Sequence, residues 1–309
     1  MDILHCLDNS NYGGIQELIF NLHKYDRANR HSFWAADGTM APEMRRGGMV
    51  LWPGGPPAEV DYDIVIGHTV GGWSHDNLSA WARERGAKFI EVLHSNFRSP
   101  TKPENVDAFV GVSHTTTALN SQFHRRECIY PIVQPELFQV GPKRGDYIGK
   151  LSRLVEEKSP REFIEIARYF PNEFFALAGD GNLREQILPS APANLEWTGG
   201  MVRNFSVFYS QLKLFVFPTK DECCSVAVAM AQAAGVPVIC QNIPALREST
   251  GGYARFCSNI QDFTDIIAAS LKFPDDFMPT ISLAQDWAWR NFRHEVVIPK
   301  YNQLFESLI

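Results

Sequence analysis

The stretch Leu214–Val238, LFVFPTKDECCSVAVAMAQAAGVPV, restricts the fold of this chain more than any other. It opens on the apolar run Leu214-Phe215-Val216-Phe217, which reads as a buried strand. Pro218 forces an extended exit, and Thr219-Lys220-Asp221-Glu222 is a polar loop. The Ala-rich segment Ser225–Ala234 predicts a buried helix closed by Gly235, and Val236–Ile239 is a second short strand. Strand, loop, helix and strand in this order form a βαβ unit, and in such units ligands sit at the carboxyl ends of the strands. Glu222 occupies that position, one turn ahead of a helix N-terminus whose free amides suit an anionic ligand. A carboxylate there also complements the helix dipole, and this stretch by itself leaves both readings open.

A chain of 309 residues is long for one core and comfortable for two. Its net charge of −6 argues against nucleic acid as the main partner, since a phosphate backbone rewards a basic face. There is no 18-residue apolar run of the kind a membrane-spanning helix needs. The first residues, MDILHCLDNS, lack the basic region of a signal peptide. The six cysteines, at 6, 128, 223, 224, 240 and 257, show neither metal-ligand spacing nor a disulfide framework. A reduced, cytoplasmic setting is the expectation. Cys223-Cys224 is read as a pair of small packing residues.

Strand–helix alternation runs through the chain. Asp2–Leu7 is a strand, the turn-rich Asp8–Gly14 follows, and the spacing of 15, 18, 19 and 22 predicts a helix to Tyr25. Gly13 and Gly14 would let a backbone approach a phosphate or sugar at that helix N-terminus. The pattern is not GxGxxG, so a dinucleotide fingerprint is not supported. Phe33–Ala36 and Met49–Trp52 read as strands, the second ending in a Pro-Gly-Gly-Pro-Pro turn at 53–57. Further strands at Asp63–Gly67, Lys88–Leu93 and Ala108–Val112 each deliver a histidine, His68, His94 and His114, at or just past their ends. One such histidine is usually structural; three along one edge point to a cleft.

Residues 128–146 are rich in Pro and Gly and read as the link between two lobes. A new series follows. The strand Tyr147–Leu151 runs into a basic loop with Arg153 and Lys158, and Pro160 opens a helix to Tyr169. Arg153 and Lys158 are where two cations suit a diphosphate, although Glu156 and Glu157 offer them ordinary surface partners. Strands at Phe174–Ala178 and Asn194–Trp197 end in the glycine turns 179–181 and 199–200. Cys240–Thr250 reads as a loop, and Ile281–Ile309 as a helix broken by Pro299.

In this order the pieces resemble the retaining, nucleotide-sugar-dependent glycosyltransferases of family four. The matching segments are Tyr147-Ile148-Gly149 with Ser152–Lys158, Ala178–Gly181, Trp197-Thr198-Gly199, and Phe217-Pro218-Thr219 with Asp221-Glu222 through Ala233–Val238. In the first lobe Tyr12-Gly13-Gly14, Leu93-His94-Ser95 and Val112-Ser113 look like the family's acceptor-side landmarks. The resemblance implies an α/β GT-B fold: two Rossmann-like βαβ domains facing a central cleft, with a kinked C-terminal helix crossing back to the first. It implies an acceptor-side domain over 1–140, a nucleotide-sugar-binding domain over 141–285, and a returning helix over 286–309. Gly13 and Gly14 would contact the donor diphosphate, and His94 would lie near the transferred sugar. Arg153 and Lys158 would neutralise the leaving diphosphate. Gly179 would sit near the nucleotide, with the backbone from Gly199 to Met201 near the base. Glu222 would face the donor sugar as the first Glu of a Glu-x7-Glu motif.

The second Glu of that motif is replaced here by Met230. A thioether cannot accept two ribose hydroxyls as a carboxylate does, so Ser225 is the nearby candidate to compensate. The expected loss is about 1–3 kcal/mol of donor affinity. The leading expectation is therefore a retaining hexosyltransferase using a UDP- or GDP-type donor and a glycan, lipid-linked or small hydroxylated acceptor. No Asp-x-Asp triplet is present to hold Mg²⁺ or Mn²⁺, so no metal and no other cofactor is expected. The alternative is a catalytically degenerate homologue serving as a binding or partner subunit; an epimerase or hydrolase of the same fold is a third. Members of the family dock peripherally on membranes through a basic first-lobe surface, for which Arg125-Arg126 is a small patch.

Overall fold

The computed structural model describes residues 1–9, 13–37, 51–52, 61–68, 74–140, 145–200, 202 and 204–309. The chain divides into two compact units, Met1–Ile132 with His294–Ile309, and Val133–Arg293. The boundary expected at 140/141 thus falls at 132/133. A short strand at Arg126–Cys128 still belongs to the first sheet. Beyond it, the Val133 amide donates to the Phe292 carbonyl at 2.8 Å and so joins the second unit.

The first unit holds β1 (Asp2–Asn9), β2 (Arg30–Asp37), β3 (Leu51–Trp52), β4 (Ile64–Gly67), β5 (Lys88–Leu93), β6 (Ala108–Gly111) and β7 (Arg126–Cys128). They form one sheet in the order β3-β2-β1-β4-β5-β6-β7, and every pair is parallel. Side chains of one parity, Leu4, Cys6, Trp34 and Val65, pack with Leu78 and Ala82 of the helix His75–Glu84. Those of the other parity, Leu7, Phe33 and Ala35, meet Ile19 of the helix Gly14–Tyr25. A sheet covered on both faces explains why these strands read as continuous apolar runs.

The second unit holds β8 (Tyr147–Leu151), β9 (Phe174–Ala178), β10 (Leu195–Gly199), β11 (Leu212–Phe217), β12 (Val238–Gln241) and β13 (Arg255–Cys257). Their order is β10-β9-β8-β11-β12-β13, again parallel throughout. Its core joins Ile148, Phe175, Leu214, Val216 and Ile239 of the strands to Phe163, Ile166, Phe263 and Ile267 of two flanking helices. In each sheet the first strand in the chain is where the order reverses, between β1 and β4 and between β8 and β11. Such switch points open a crevice beyond the strand ends.

Several expectations are corrected. Val236 and Pro237 precede β12, because Gly235 turns the chain with φ +72° and the strand pairs only from Val238. Cys240–Thr250 is not a loop: Pro244 takes the first position of a helix, Pro244–Ser249, where its missing amide hydrogen costs nothing. The C-terminal helical segment breaks at Arg293, between the helices Met278–Phe292 and His294–Glu306, while Pro299 lies inside the second. The return to the first unit accordingly begins at His294 rather than 286. There His294 stacks on Tyr25 at 4.4 Å, Asn29 Nδ2 donates to Asn302 Oδ1 at 2.9 Å, and Arg125 donates to the Ser307 carbonyl at 3.1 Å.

Candidate functional site

The most chemically loaded place in the second unit is its switch point. β8 ends in the loop that carries Arg153 and Lys158, and β11 ends in the loop that carries Glu222. Lys158 Nζ lies 2.8 Å from Glu222 Oε1 and donates to the Asp221 carbonyl at 2.9 Å. Both side chains are largely covered, 16% and 10% exposed, so the pair is held against little competing water. The two loops are also tied by backbone: the Lys220 amide donates to the Glu157 carbonyl at 2.9 Å, and Thr219 Oγ1 lies 3.0 Å from the same oxygen. Arg153 is different. Its side chain is 62% exposed and 3.4 Å from Glu157, a surface i,i+4 pair worth a few tenths of a kcal/mol. It is therefore able to swing toward an anion.

Ser159, immediately after Lys158, has φ +49° and ψ +52° and is the one non-glycine residue in the left-handed region among the described residues. It links a short 3₁₀ turn, Glu156–Lys158, to the helix Pro160–Tyr169. Conformational strain of about 1–2 kcal/mol next to the largely covered Lys158 marks the turn as one whose geometry is imposed.

Lys150, on β8, is fully buried. Its Nζ donates to the Pro218 carbonyl at 3.1 Å and sits 4.2 Å from the centre of the Phe217 ring. Burial pushes the ammonium down to about 7, against the pull of Glu222. Nothing in the sequence pattern singles out this residue, since a lysine in a strand ordinarily faces water.

The glycine turns form a layer over the ends of β8, β9 and β10. Gly179 has φ +121°, its amide donates to the Gly199 carbonyl at 3.0 Å, and a Cβ there would sit 1.9 Å from the Ser152 carbonyl oxygen. No other residue fits that approach. Gly199 has φ +113° with open space where a Cβ would point. Trp197 Nε1 fastens the turn by donating to the Gly179 carbonyl at 2.9 Å. Ser225 is buried and caps the helix Val226–Ala233, its Oγ accepting from the Val228 amide at 3.4 Å. Met230 lies inside that helix, 2% exposed, so its thioether is a packing group. Met201, Tyr12 and the 53–57 turn lie outside the described residues.

In the first unit Gly13 caps the helix Gly14–Tyr25 in an extended conformation without a side-chain hydrogen bond. His68 and His94 follow β4 and β5 and meet directly, His68 Nδ1 to His94 Nε2 at 2.9 Å. His114 is not part of this contact; it is exposed and opens the helix His114–Leu119. The contact continues in the other direction to His5, His31 and Asp26, which no sequence motif marks. His68 Nε2 is 2.9 Å from His5 Nδ1, His5 Nε2 is 2.9 Å from His31 Nδ1, and His31 Nε2 is 3.0 Å from Asp26 Oδ2. Ring centres are spaced 5.1, 5.2 and 5.2 Å apart. The register explains the line: His31 pairs with Ile3, and His5 pairs with Phe33 and Ile66. The four histidines share one face of the sheet, each two residues farther along on the next strand, β2, β1, β4, β5.

Burial pushes the His5 and His68 imidazoles well below their ordinary range, neighbouring rings adding to the effect, and brings His94 down to about 4. For Asp26 burial acts upward, but hydrogen bonds from His31, Asn29 and the Ala28 amide outweigh it and bring the carboxyl down to about 2. Neutral rings at His5, His68 and His94 and an ionised Asp26 are consistent with these directions.

Residues 145–273 match the family model described as glycosyl transferases group 1, a span that contains β8 to β13 and the Lys158–Glu222 pair. No curated protein matches the chain by sequence. Among solved structures, the whole chain is similar to a glycosyltransferase from Rickettsia africae, with a TM-score of 0.81, 14% identity, and 99% and 98% of the two chains covered. It is similar to Anabaena HepE solved with UDP-glucose, with a TM-score of 0.79, 15% identity, and 99% and 100% covered. Sucrose-phosphate synthase from Thermosynechococcus elongatus gives a TM-score of 0.77 at 11% identity, with 99% and 98% covered. The fold is the GT-B glycosyltransferase fold, α/β with two Rossmann-like units. Among the described residues no helix is long and apolar enough to cross a membrane.

Proposed function

We propose that the chain is a glycosyltransferase that moves a hexosyl unit from a UDP- or GDP-type sugar to a hydroxyl of a glycan, lipid-linked or small acceptor. In this reading configuration is retained and no metal takes part. The observation that carries it is the Lys158–Glu222 pair at the β8/β11 switch point. Breaking a sugar–phosphate bond leaves a diphosphate with an additional negative charge, which preorganised cations stabilise. Lys158 has three N–H donors; two are directed at Glu222 and the Asp221 carbonyl, leaving the third for a phosphate oxygen. Arg153, exposed and weakly paired, supplies a planar fork to the same group. Glu222, held by Lys158, takes hydroxyls of the sugar. Gly179 and Gly199, where the backbone carries no side chain, lie along the nucleotide. Similarity to a UDP-glucose-bound structure supports the donor class. Roles for Gly13, Gly14 and His94 rest on the family resemblance.

The test is nucleotide release and product formation by the purified protein with UDP- and GDP-sugars, with and without EDTA. Lys158→Ala and Glu222→Ala are each expected to lower turnover by ~10²–10³-fold with unchanged circular dichroism. Full activity in either variant removes that residue from the mechanism, and loss of activity in EDTA removes the metal-free reading. A second reading, a binding subunit without turnover, is favoured by one observation, the buried Met230 in place of a ribose-binding carboxylate. It predicts nucleotide binding with no transfer to any acceptor.

A further inference from the structure

The buried line of histidines in the first unit runs from Asp26 to His94, and it has a direction. At one end Asp26 is 3% exposed and accepts from Asn29 Nδ2 at 2.8 Å and from the Ala28 amide at 3.0 Å. A carboxylate can only accept, so the nitrogen facing it, His31 Nε2, carries a proton. With one proton per ring, His31 Nδ1 then holds a lone pair and accepts from His5 Nε2–H. The same logic passes along: His5 Nδ1 accepts from His68 Nε2–H, and His68 Nδ1 accepts from His94 Nε2–H. The last ring then carries its lone pair on Nδ1.

We propose that Asp26, acting through His31, His5 and His68, fixes His94 as its Nε2–H tautomer, so that Nδ1 of His94 is a hydrogen-bond acceptor. Asp26 and the three inner histidines are positioning residues; only His94 would touch a ligand. The effect parallels the way a buried carboxylate sets the tautomer of a single histidine, extended here over four rings. The surroundings agree with a fixed, dry chain. His5, His31 and His68 are 0–3% exposed, and the low basicity that burial gives His5, His68 and His94 keeps those rings singly protonated near neutrality. His23 closes the Asp26 end, with Nδ1 3.1 Å from the His31 carbonyl oxygen, and the Phe305 ring lies 6.5 Å from His31.

If His31 instead carried two protons, its Nδ1–H would donate to His5. Each later ring would then reverse, and His94 would present Nδ1–H as a donor. The two arrangements differ at every histidine, so they are separable by spectroscopy without any ligand or activity. The consequence for transfer rests on the proposed function: an acceptor at His94 would take a hydroxyl hydrogen of a sugar.

The experiment is two-bond ¹H–¹⁵N correlation on protein labelled with ¹⁵N-histidine at neutral pH, with His94 assigned from the signal lost in His94→Gln. The expected result is the Nε2–H pattern for all four rings. In Asp26→Asn, whose amide can present either an oxygen or N–H groups to His31, the His94 signals move to an average of both tautomers. Should Asp26→Asn fail to fold, His5→Leu cuts the line at its centre and is expected to give the same averaging. His5→Gln, with one donor and one acceptor group, is expected to restore the Nε2–H pattern. An Nδ1–H pattern at His94 in the native protein, or a pattern untouched by both Asp26→Asn and His5→Leu, overturns the proposal. Turnover is read separately: unchanged turnover with a moved tautomer leaves the lock in place and removes His94 from the reaction.

Discussion

Replacing Lys150 by Met should stabilise the protein at neutral and mildly acidic pH, and the gain should vanish in alkali. The ammonium is fully buried with one carbonyl acceptor, and burial brings its pKa from 10.5 to about 7. At about pH 6 that difference corresponds to a penalty of about 5 kcal/mol for keeping the charged form inside, already net of the attraction to Glu222 and Glu162. Methionine has nearly the volume of the lysine stem, so the core is conserved. It leaves the Pro218 carbonyl without its donor, which costs about 1–3 kcal/mol. The net expectation is a gain of about 2–4 kcal/mol near pH 6. The folded pKa is depressed, so the penalty is full below the folded value and disappears as pH rises through the unfolded value. By about pH 10 the advantage of Lys150→Met should fall by about 4 kcal/mol. Urea unfolding of both proteins at the two pH values measures this, the difference cancelling all other titrations. A difference that does not change with pH, or a variant less stable near pH 6, would mean that Lys150 is not a buried charge of depressed basicity.

Two further outcomes are expected. Ser159→Gly relieves the left-handed backbone after Lys158 and should raise stability by about 1 kcal/mol, seen as a higher urea midpoint with unchanged slope; a lower midpoint would mean that the Ser159 side chain has a role the backbone argument omits. Acid should destabilise the native protein, because His94 is depressed from 6.5 to about 4: its contribution is complete above 6.5 and lost as pH falls through the folded value. That interval is on the order of 3 kcal/mol, and Asp26 adds a second loss between its ordinary 3.8 and about 2. A His94→Gln variant should show a smaller fall between about pH 7 and pH 4.5, and an equal fall in both proteins would argue against the burial of this ring.

Much of the architecture was legible because parallel strands covered on both faces advertise themselves as apolar runs. The helix Pro160–Tyr169 and the strands Tyr147–Leu151 and Phe174–Ala178 fall where the sequence pattern puts them. The strands that escaped notice, β7 and β13, stand at the ends of their sheets and carry Arg126, Glu127 and Arg255. An edge strand needs only one paired side and tolerates charge, so it leaves no apolar signature. Lys158 and Glu222 were singled out as separate residues; that they meet at 2.8 Å follows from β8 and β11 being neighbours, which only the strand order supplies. The histidine line was hidden for the same reason. Each histidine sits at a parity shared with core residues of its own strand, but the diagonal appears only when β2, β1, β4 and β5 are placed side by side. Lys150 defeats the usual reading of a charged residue as exposed, because its strand has no solvent face.

The central claim is that the second unit binds a nucleoside diphosphate through Lys158 and its neighbours. The most direct measurement is a metal-free thermal-shift series with UDP, GDP, ADP, TDP and their sugars, run on the native protein and on Lys158→Ala. The expected result is a rise in melting temperature with one nucleotide family, equivalent to about 2.7 kcal/mol at a concentration near 100 Kd, and its loss in the variant. No shift with any of these ligands at millimolar concentration, or the same shift in Lys158→Ala, would contradict it.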